Sequence, residues 1–340
     1  MYFASDNTAG AHPQVLKALV TANADPVPAY GDDPYTLKLQ DRLREIFEHE
    51  DLVAFPIATG SSGNALALAT LTPPWGAVYC HGEAHINVDE CGAPEVANPG
   101  TKLIAIDGEQ GKIGPAGIEA ALRGRGFVHA VQPATVSVTN LTEVGTAYGQ
   151  GELAQLGAFC KEQGLSLHLD GARFANALVA TNMSPADMTW RAGVDALTFG
   201  ATKNGCMAAE VVIFFDPAKA EEFAFRRKRA GHLFSKMRFL SAQVLGYLDQ
   251  DLWLETARHA NVLAQRLVKG LSAAGCTPYF PVEGNMIFAP IPHAIQDRLR
   301  EAGAVFYPGR LPGTDGTDVR LVTAWSTTEA DVDRFVGLLA

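Results

Sequence analysis

The chain has 340 residues, of which 47% are apolar and 19% are charged, a composition typical of a globular protein with one large domain and a smaller one. Its formal net charge of −10 disfavours nucleic acid or an anionic membrane as a partner, because both would repel an acidic surface. The N-terminal MYFASDNTAG lacks the pattern of a signal peptide, and no apolar run approaches the ~20 residues of a membrane helix. We therefore expect a cytoplasmic protein that binds small molecules.

The cysteines predict free thiols rather than a structural or metal-binding framework. Their number is odd, they are widely scattered, and they include no CxxC pair. They are Cys80, Cys91, Cys160, Cys206 and Cys276.

Short apolar runs alternate with helical patterns between about residues 50 and 215, as in parallel strands joined by crossover helices. The predicted strands, in chain order, are GAVYC, TKLIAID, HAVQPATVSV, LSLHLD, VDALTFG and EVVIFF. Helical spacing occurs in the intervening segments NALALATL, GIEAALRG and ELAQLGAFCKEQG. The alternation predicts an α/β domain with a mostly parallel sheet.

The pattern changes near residue 240. Two long helical segments follow, and after them come short strand-like and helical segments such as AIQDRLREAG and DVRLVTA. We interpret residues 1–240 as the large domain and residues 241–340 as a smaller α+β domain. No Pro, Gly or Ser-rich linker separates the two, so they are expected to pack closely.

Asp170 and Lys203 each follow the end of a predicted strand, in LSLHLDGAR and VDALTFGATKNG. A lysine can bind the aldehyde of pyridoxal phosphate (PLP) covalently, and a carboxylate can keep the pyridine nitrogen of that coenzyme protonated. Strand-end carboxylates and lysines also occur for structural reasons. As a pair, they predict a PLP site.

A phosphate site is predicted at TGSSGN, residues 59–64, between an apolar run and a helical pattern. Backbone amides and hydroxyls at a helix start bind dianions, although such a turn is more often only a cap. Gly60, Ser61 and Ser62 are the candidate ligands, with Thr202 as another. No GxGxxG or GxxxxGK[ST] motif occurs, which disfavours a dinucleotide or P-loop site.

His85, in HGEAHINVDECG, is the candidate acid–base residue. Its spacing from His81 could suggest metal ligands, but the order is not HExxH and no third ligand is evident, so no metal is expected. We expect the imidazole to stack on the coenzyme ring near a substrate hydroxyl. A packed structural histidine is the alternative.

Two arginines are candidates for binding a carboxylate, because a guanidinium can bind one bidentately. Arg173 lies three residues after Asp170, and Arg320 lies in DVRLVTA. Taken singly, each is better explained by a surface or interdomain salt bridge. The basic run RRKR at 226–229, with Lys236 and Arg238 after it, is usually a solvated helix face, but its density suggests an anion site shared across a subunit boundary.

In order and spacing, these motifs resemble those of the L-threonine aldolases, which are β-eliminating lyases among the fold-type I PLP enzymes. The resemblance covers nearly the whole chain. It is carried by SDNT from Ser5, AYGDDP around Tyr30, TGSSGN, AHINVDE around His85, DGAR from Asp170, TK at Lys203, RRKRAG before Arg238, and VRLVT around Arg320.

The resemblance implies an aspartate-aminotransferase-like large domain and a homodimer or homotetramer with active sites at the subunit interface. It implies roles for individual residues as well. Lys203 would bind the coenzyme aldehyde, Asp170 the pyridine nitrogen and Gly60 to Ser62 the phosphate. His85 would stack on the ring. The substrate carboxylate would be held by Ser5, Arg173 and Arg320, and Arg173 would also contact the cofactor. The neighbouring subunit's site would be completed by Tyr30, Lys228 and Arg238.

Two departures from the family pattern concern the site. Ser62 stands where many members have glutamine, and Glu143 lies where many have a histidine proposed as a helper base. His85, directly or through water, is therefore the preferred base, and Glu143 the weaker candidate. The expected reaction cleaves L-threonine, L-allo-threonine or phenylserine to glycine and an aldehyde. Alternatives are another PLP-dependent lyase or aminotransferase, because fold alone does not determine chemistry, and a catalytically silent binding protein.

Overall fold

The computed structural model describes residues 1–309 and 311–339. The helices are α1 (Pro13–Ala22), α2 (Pro34–Phe47), α3 (Gly60–Leu71), α4 (His85–Val88), α5 (Ala93–Ala97), α6 (Pro115–Ala121), α7 (Gln150–Gln163), α8 (Phe174–Thr181), α9 (Pro185–Met188), α10 (Pro217–Arg229), α11 (Arg238–Leu248), α12 (Leu252–Ala273), α13 (His293–Glu301) and α14 (Glu329–Gly337). The strands are β1 (Val53–Ile57), β2 (Gly76–His81), β3 (Lys102–Ile106), β4 (Gln132–Thr139), β5 (Ser166–Gly171), β6 (Ala196–Gly200), β7 (Glu210–Phe214), β8 (Met286–Pro290), β9 (Tyr307–Pro308) and β10 (Asp318–Val322).

A seven-stranded sheet in the order β1-β7-β6-β5-β4-β2-β3 forms the centre of the molecule. Strands β2 to β6 pair in parallel, whereas β7 is antiparallel to both β6 and β1. The α/β fold with a mostly parallel sheet, predicted from the alternating pattern, is confirmed. The carboxyl ends of β4, β5 and β6 consequently lie side by side at one edge, where α/β proteins bind their ligands.

The N-terminal helices α1 and α2 were not predicted, although their start signals are present in the sequence. Each begins with proline at its first position, where the missing N–H costs nothing. Asp33 caps α2 by accepting a hydrogen bond from the backbone N–H of Thr36 over 2.9 Å. Both helices pack against α11, so the N-terminal segment contributes to the large core.

A second, antiparallel sheet in the order β8-β10-β9 packs with the last helices around a separate apolar core. Helix α12 contributes to both cores. Its first turns place Trp253 in the large core, and its later turns place Leu267 in the small one, together with Phe3 from the N-terminus. The division of the chain at residue 240 stays a prediction. Among the described residues, no helix combines the length and apolarity that crossing a bilayer requires.

Helix α3 packs closely against the sheet, and a glycine makes this possible. A Cβ atom on Gly63 would stand 2.8 Å from Thr198 Cγ2 on β6 and 3.3 Å from Val212 Cγ2 on β7. Real Cβ atoms do not approach so closely, so a larger residue would push the helix outward. The close contact brings the first turns of α3 to the carboxyl edge of the sheet.

His168 on β5 forms a buried polar bridge under this helix. Its Nδ1 lies 2.9 Å from Ser137 Oγ and its Nε2 lies 3.1 Å from Thr198 Oγ1, so both ring nitrogens have hydrogen-bond partners. Burial lowers the pKa of His168 to about 4. The nearby charge of Asp170 raises this pKa, but by less than burial lowers it. The histidine is therefore neutral at physiological pH and serves as a structural link between three strands.

The depressed pKa of His168 predicts sensitivity to acid. Between the ordinary value of 6.5 and about 4 the unfolded chain binds a proton that the folded protein does not, so stability falls as the pH falls through this range. The loss reaches about 3 kcal/mol at pH 4. We expect His168→Gln to lose less free energy of unfolding than the wild type between pH 7 and pH 4 in urea titrations. His293→Gln, at an exposed histidine, should follow the wild type. Parallel losses in all three proteins would contradict this interpretation.

Candidate active site

Asp170 and Lys203 lie at the same edge of the central sheet. Asp170 occupies the end of β5, where it pairs in register with Thr139 of β4 and Thr198 of β6. Lys203 lies in the short 3-10 turn Thr202–Asn204 that follows β6. Because β5 and β6 are parallel neighbours, the strand-end positions recognised in the sequence meet at one place.

The carboxylate of Asp170 is buried and accepts two hydrogen bonds. The side-chain amide of Asn64 donates to Oδ2 over 2.8 Å, and the backbone N–H of Ala172 donates to Oδ1 over 2.9 Å. Asn64 lies one turn into α3, on the helix whose close approach to the sheet depends on Gly63. The position of Asp170 is thus set from both sides.

Asn64 extends this network to His85. Its Nδ2 also donates to Oε1 of Glu90 over 2.9 Å, and the same Oε1 lies 2.8 Å from Nδ1 of His85. The Glu90 side chain is 0% exposed, whereas that of His85 is 40% exposed. The sequence analysis did not assign functions to Asn64 or Glu90, although both lie within motifs quoted above, because only the folded chain brings them together.

The charges around His85 favour its protonated form. The hydrogen bond to Glu90 raises the pKa of His85, burial works against this, and Asp170 adds to the increase. The nearby ammonium of Lys203 opposes it, but the net direction is upward. The imidazole can therefore gain and lose a proton near neutral pH, as an acid–base residue must.

Glu143 contacts the backbone of His85. Its Oε1 accepts hydrogen bonds from the N–H of His85 over 3.0 Å and from Thr139 Oγ1 over 2.7 Å. Burial raises the pKa of Glu143 to about 7, and these hydrogen bonds counteract only part of the increase. The carboxyl group holds the first turn of α4 in place and also titrates near neutral pH.

Arg173 forms a bidentate salt bridge with Asp6, a residue the sequence analysis did not single out. Its Nε and Nη2 donate to the two carboxylate oxygens over 2.7 and 2.9 Å. Burial alone would raise the pKa of Asp6, but the charges of Arg173 and Lys203 outweigh it and leave the pKa below its ordinary value. The charge of Arg173 is thus already neutralised in part. This weakens the attraction that Arg173 can offer to a substrate carboxylate, its predicted ligand.

Ser5 and Arg320 lie beside this pair. Ser5 is buried and caps the turn Asp6–Thr8, its Oγ accepting from the N–H of Asn7 over 3.2 Å. Arg320 on β10 donates from Nη2 to the carbonyl of Ala4 over 3.3 Å. The N-terminal segment, β10 and the start of α8 thus converge on the edge that bears Lys203.

Helix α3 offers a site for a phosphate next to this group. Its cap Thr59 accepts from the N–H of Ser62 over 3.3 Å, and the half-buried Gly60, Ser61 and Ser62 form its first turn. That turn lies about 6 Å along the helix from Asn64, the partner of Asp170. One helix therefore presents backbone amides to an anion at its start and positions the buried carboxylate a turn later. A lysine, a buried carboxylate and a helix N-terminus are the donor set that PLP requires, so the residues fit this coenzyme.

The turn that carries Lys203 is anchored by Glu210. The buried Oε2 of Glu210 accepts a hydrogen bond from the N–H of Ala201 over 2.6 Å, and burial raises the pKa of Glu210. Thr202 Oγ1 accepts from the N–H of Ala209 over 3.1 Å and donates to the carbonyl of Ala209 over 3.3 Å. The hydroxyl predicted to bind phosphate is therefore engaged within its own loop.

Two other contacts involve Tyr30, Lys228 and Arg238. Lys228 Nζ lies 4.8 Å from the centre of the exposed Tyr30 ring, and Arg238 Nη1 donates to the carbonyl of Asp25 over 2.9 Å. Their predicted role involves a neighbouring subunit and stays a prediction. In the described part of the chain, no group of three or more His, Cys, Asp and Glu side chains is arranged to hold a metal ion.

Comparison with known proteins identifies relatives over nearly the whole chain. The Beta-eliminating lyase family matches residues 2–292. The low specificity L-threonine aldolase of a Pseudomonas species is 42% identical over 332 residues, which cover 97% of this chain and 94% of the relative. The low specificity L-threonine aldolase of Pseudomonas aeruginosa is also 42% identical, over 98% of this chain and 94% of the relative.

Solved structures show the same relation. The threonine aldolase of Leishmania major superposes with a TM-score of 0.93 at 32% identity, over 99% of this chain and 98% of that one. An aspartate aminotransferase of Thermus thermophilus shares the fold. It superposes with a TM-score of 0.72 at 17% identity, over 100% of this chain and 90% of that one. The chain thus has the aminotransferase-like fold of the fold-type I PLP enzymes, and it belongs to the L-threonine aldolases of the beta-eliminating lyase family, which are PLP-dependent lyases.

Proposed function

We propose that the protein cleaves L-β-hydroxy-α-amino acids, such as L-threonine, L-allo-threonine or phenylserine, to glycine and an aldehyde by a retro-aldol reaction. The observation that carries the proposal is the hydrogen-bonded connection between His85 and Asp170. This connection links an imidazole, which would act as the acid–base group, to the carboxylate that would bind the coenzyme. The names of the Pseudomonas and Leishmania relatives support the same substrate class.

Two residues would hold the coenzyme's reactive parts. The amine of Lys203 would bind the aldehyde and yield it to the substrate amine, and the buried Asp170 would bind the pyridine nitrogen. When bound, PLP supplies an electron sink for the bond broken at the substrate Cα. Asp170 is suited to its part because two donated hydrogen bonds keep its oxygens oriented as acceptors. Gly60, Ser61 and Ser62 would bind the phosphate at the start of α3.

The substrate carboxylate would be held by the basic group around the N-terminal segment. Arg320 contacts the N-terminal segment from β10, and Arg173 contacts it from the start of α8. Ser5 adds a hydroxyl. Asp6 keeps Arg173 oriented through one edge of the guanidinium, Nε and Nη2. Fixing the carboxylate in this way would orient the Cα–Cβ bond for cleavage, which is the main benefit of a positioned substrate.

His85 is our candidate for the base that removes the proton of the β-hydroxyl, directly or through water. The hydrogen bond to Glu90 makes its imidazole more basic than usual. Glu143 is the competing candidate, since it lies beside His85 with a pKa raised to about 7. His85 is preferred because Glu143 is already bound to Thr139 and to the backbone of α4.

The functional unit we propose is a homodimer or homotetramer with active sites at the subunit interface, in the cytoplasm. The exposed Tyr30 and the basic residues Lys228 and Arg238 support this proposal. They lie on a surface that a second copy would cover, and their cationic groups would then reach an anionic site of the neighbour.

Product analysis tests the reaction directly. We expect purified, PLP-loaded protein to convert L-threonine, L-allo-threonine and phenylserine to equal amounts of glycine and the corresponding aldehyde, measured by chromatography and a coupled aldehyde assay. Comparing kcat/KM for the three substrates identifies the preferred side chain. Formation of ammonia and a keto acid, or transfer of the amino group to an added keto acid, would instead support another lyase or an aminotransferase.

The pH dependence of the rate distinguishes the two candidate bases. A base must be unprotonated, so kcat/KM should rise with pH through the pKa of His85, at a pH above its ordinary 6.5. His85→Gln should remove this rise and lower kcat by about 10²-fold or more. Glu143→Gln should retain the rise. If instead Glu143→Gln abolished the rise and His85→Gln kept it, Glu143 would be the base. Coenzyme absorbance shows whether each variant retains PLP.

A further inference from the structure

Three hydrogen bonds connect Asp170 to His85 through Asn64 and Glu90. They join Asp170 Oδ2 to Asn64 Nδ2 over 2.8 Å, Asn64 Nδ2 to Glu90 Oε1 over 2.9 Å, and Glu90 Oε1 to His85 Nδ1 over 2.8 Å. Asp170, Asn64 and Glu90 are buried. In a low-dielectric interior hydrogen bonds are stronger than in water, so the donors and acceptors of this network have to match.

The direction of every hydrogen bond in this network follows from its two carboxylates. Both Asp170 and Glu90 can only accept when ionised, so the atom of Asn64 that lies between them must be the amide nitrogen, with one hydrogen for each. The reverse orientation would place the amide oxygen against two carboxylates. Because Glu90 Oε1 is an acceptor, the third bond requires a hydrogen on Nδ1 of His85.

We propose that Glu90 is a positioning residue that, with Asn64, holds His85 in the tautomer protonated at Nδ1 and thereby makes Nε2 the proton-accepting atom. This inference rests on the proposed role of His85 in the reaction. A carboxylate that orients a histidine in this way both selects the tautomer and stabilises the imidazolium formed when the proton arrives.

The groups that face His85 fit this role. Glu90 and Asp170 favour the imidazolium, Lys203 disfavours it, and Glu143 contacts the backbone N–H rather than the ring. Glu90 is therefore the only carboxylate hydrogen-bonded to the imidazole among the described residues. Its second oxygen, Oε2, is buried and has no hydrogen-bond partner in the described part of the chain, so His85 and Asn64 are the partners of the Glu90 carboxylate there.

Glu90→Gln separates the two effects of the carboxylate, because one oxygen accepts both hydrogen bonds. Asn64 donates to that oxygen and would hold the glutamine with Oε1 in place and its amide nitrogen where Oε2 lies now. The variant should keep the tautomer and lose only the charge. Adding Asn64→Leu removes this constraint, so the glutamine amide can turn its nitrogen towards His85 and release the tautomer.

Nitrogen NMR of protein labelled with ¹⁵N-histidine, loaded with PLP and free of substrate, tests the proposal. Nine histidines give signals, and that of His85 is identified by its loss in His85→Gln. We expect the neutral His85 of the wild type to be protonated at Nδ1. In Glu90→Gln the tautomer should be unchanged while its pKa falls by about one unit, a tenfold change in proton affinity. The double variant should show a mixture of tautomers.

Glu83→Gln, at an exposed carboxylate two residues before His85, is the matched control and should leave both properties unchanged. A wild type protonated at Nε2 would overturn the proposal even if no variant folded. So would an Nε2 tautomer, or an unchanged pKa, in Glu90→Gln. These measurements need no substrate. If product analysis contradicted the aldol reaction, the tautomer result would still stand, and the two failures are therefore distinguishable.

Discussion

The buried carboxylate of Asp170 is the feature on which the rest of the site depends. A carboxylate placed at the end of a parallel strand and away from water must find donors, because an unpaired buried charge is strongly unfavourable. The backbone of Ala172 provides one donor and Asn64 of α3 provides the other. Asn64 can reach it only because Gly63 lets the helix lie against β6. The close packing of α3 therefore serves the site as well as the fold.

The same helix determines where the other parts can lie. Its first turn, with Gly60 and Ser61, faces the anion that the coenzyme would bring, and its Asn64 links the carboxylate to Glu90 and His85. Opposite charges are balanced in pairs around this centre. Asp6 partly neutralises Arg173, and Glu90 stabilises a cationic His85. A site that gathers several cations thus stays compatible with burial.

The sequence was sufficient for the framework of the fold and for the residues at strand ends. Alternating apolar runs predicted the parallel strands, and Asp170 and Lys203 just after two of them predicted a coenzyme site. It was not sufficient for Asn64, Glu90 and Asp6. Their partners lie 106, 26 and 167 residues away, at Asp170, Asn64 and Arg173, and no local pattern specifies such contacts. The antiparallel pairing of β1 with β7 was likewise not predicted, because the period of apolar residues does not indicate strand direction.

We propose that Lys203, at the edge that bears Asp170, is the lysine that binds the coenzyme. Reducing the PLP-loaded protein with borohydride makes this linkage permanent, and digestion followed by mass spectrometry locates the labelled lysine. We expect one label, on the peptide that contains Lys203. A label on Lys228, Lys236 or any other lysine, or a protein that traps no coenzyme, would contradict it.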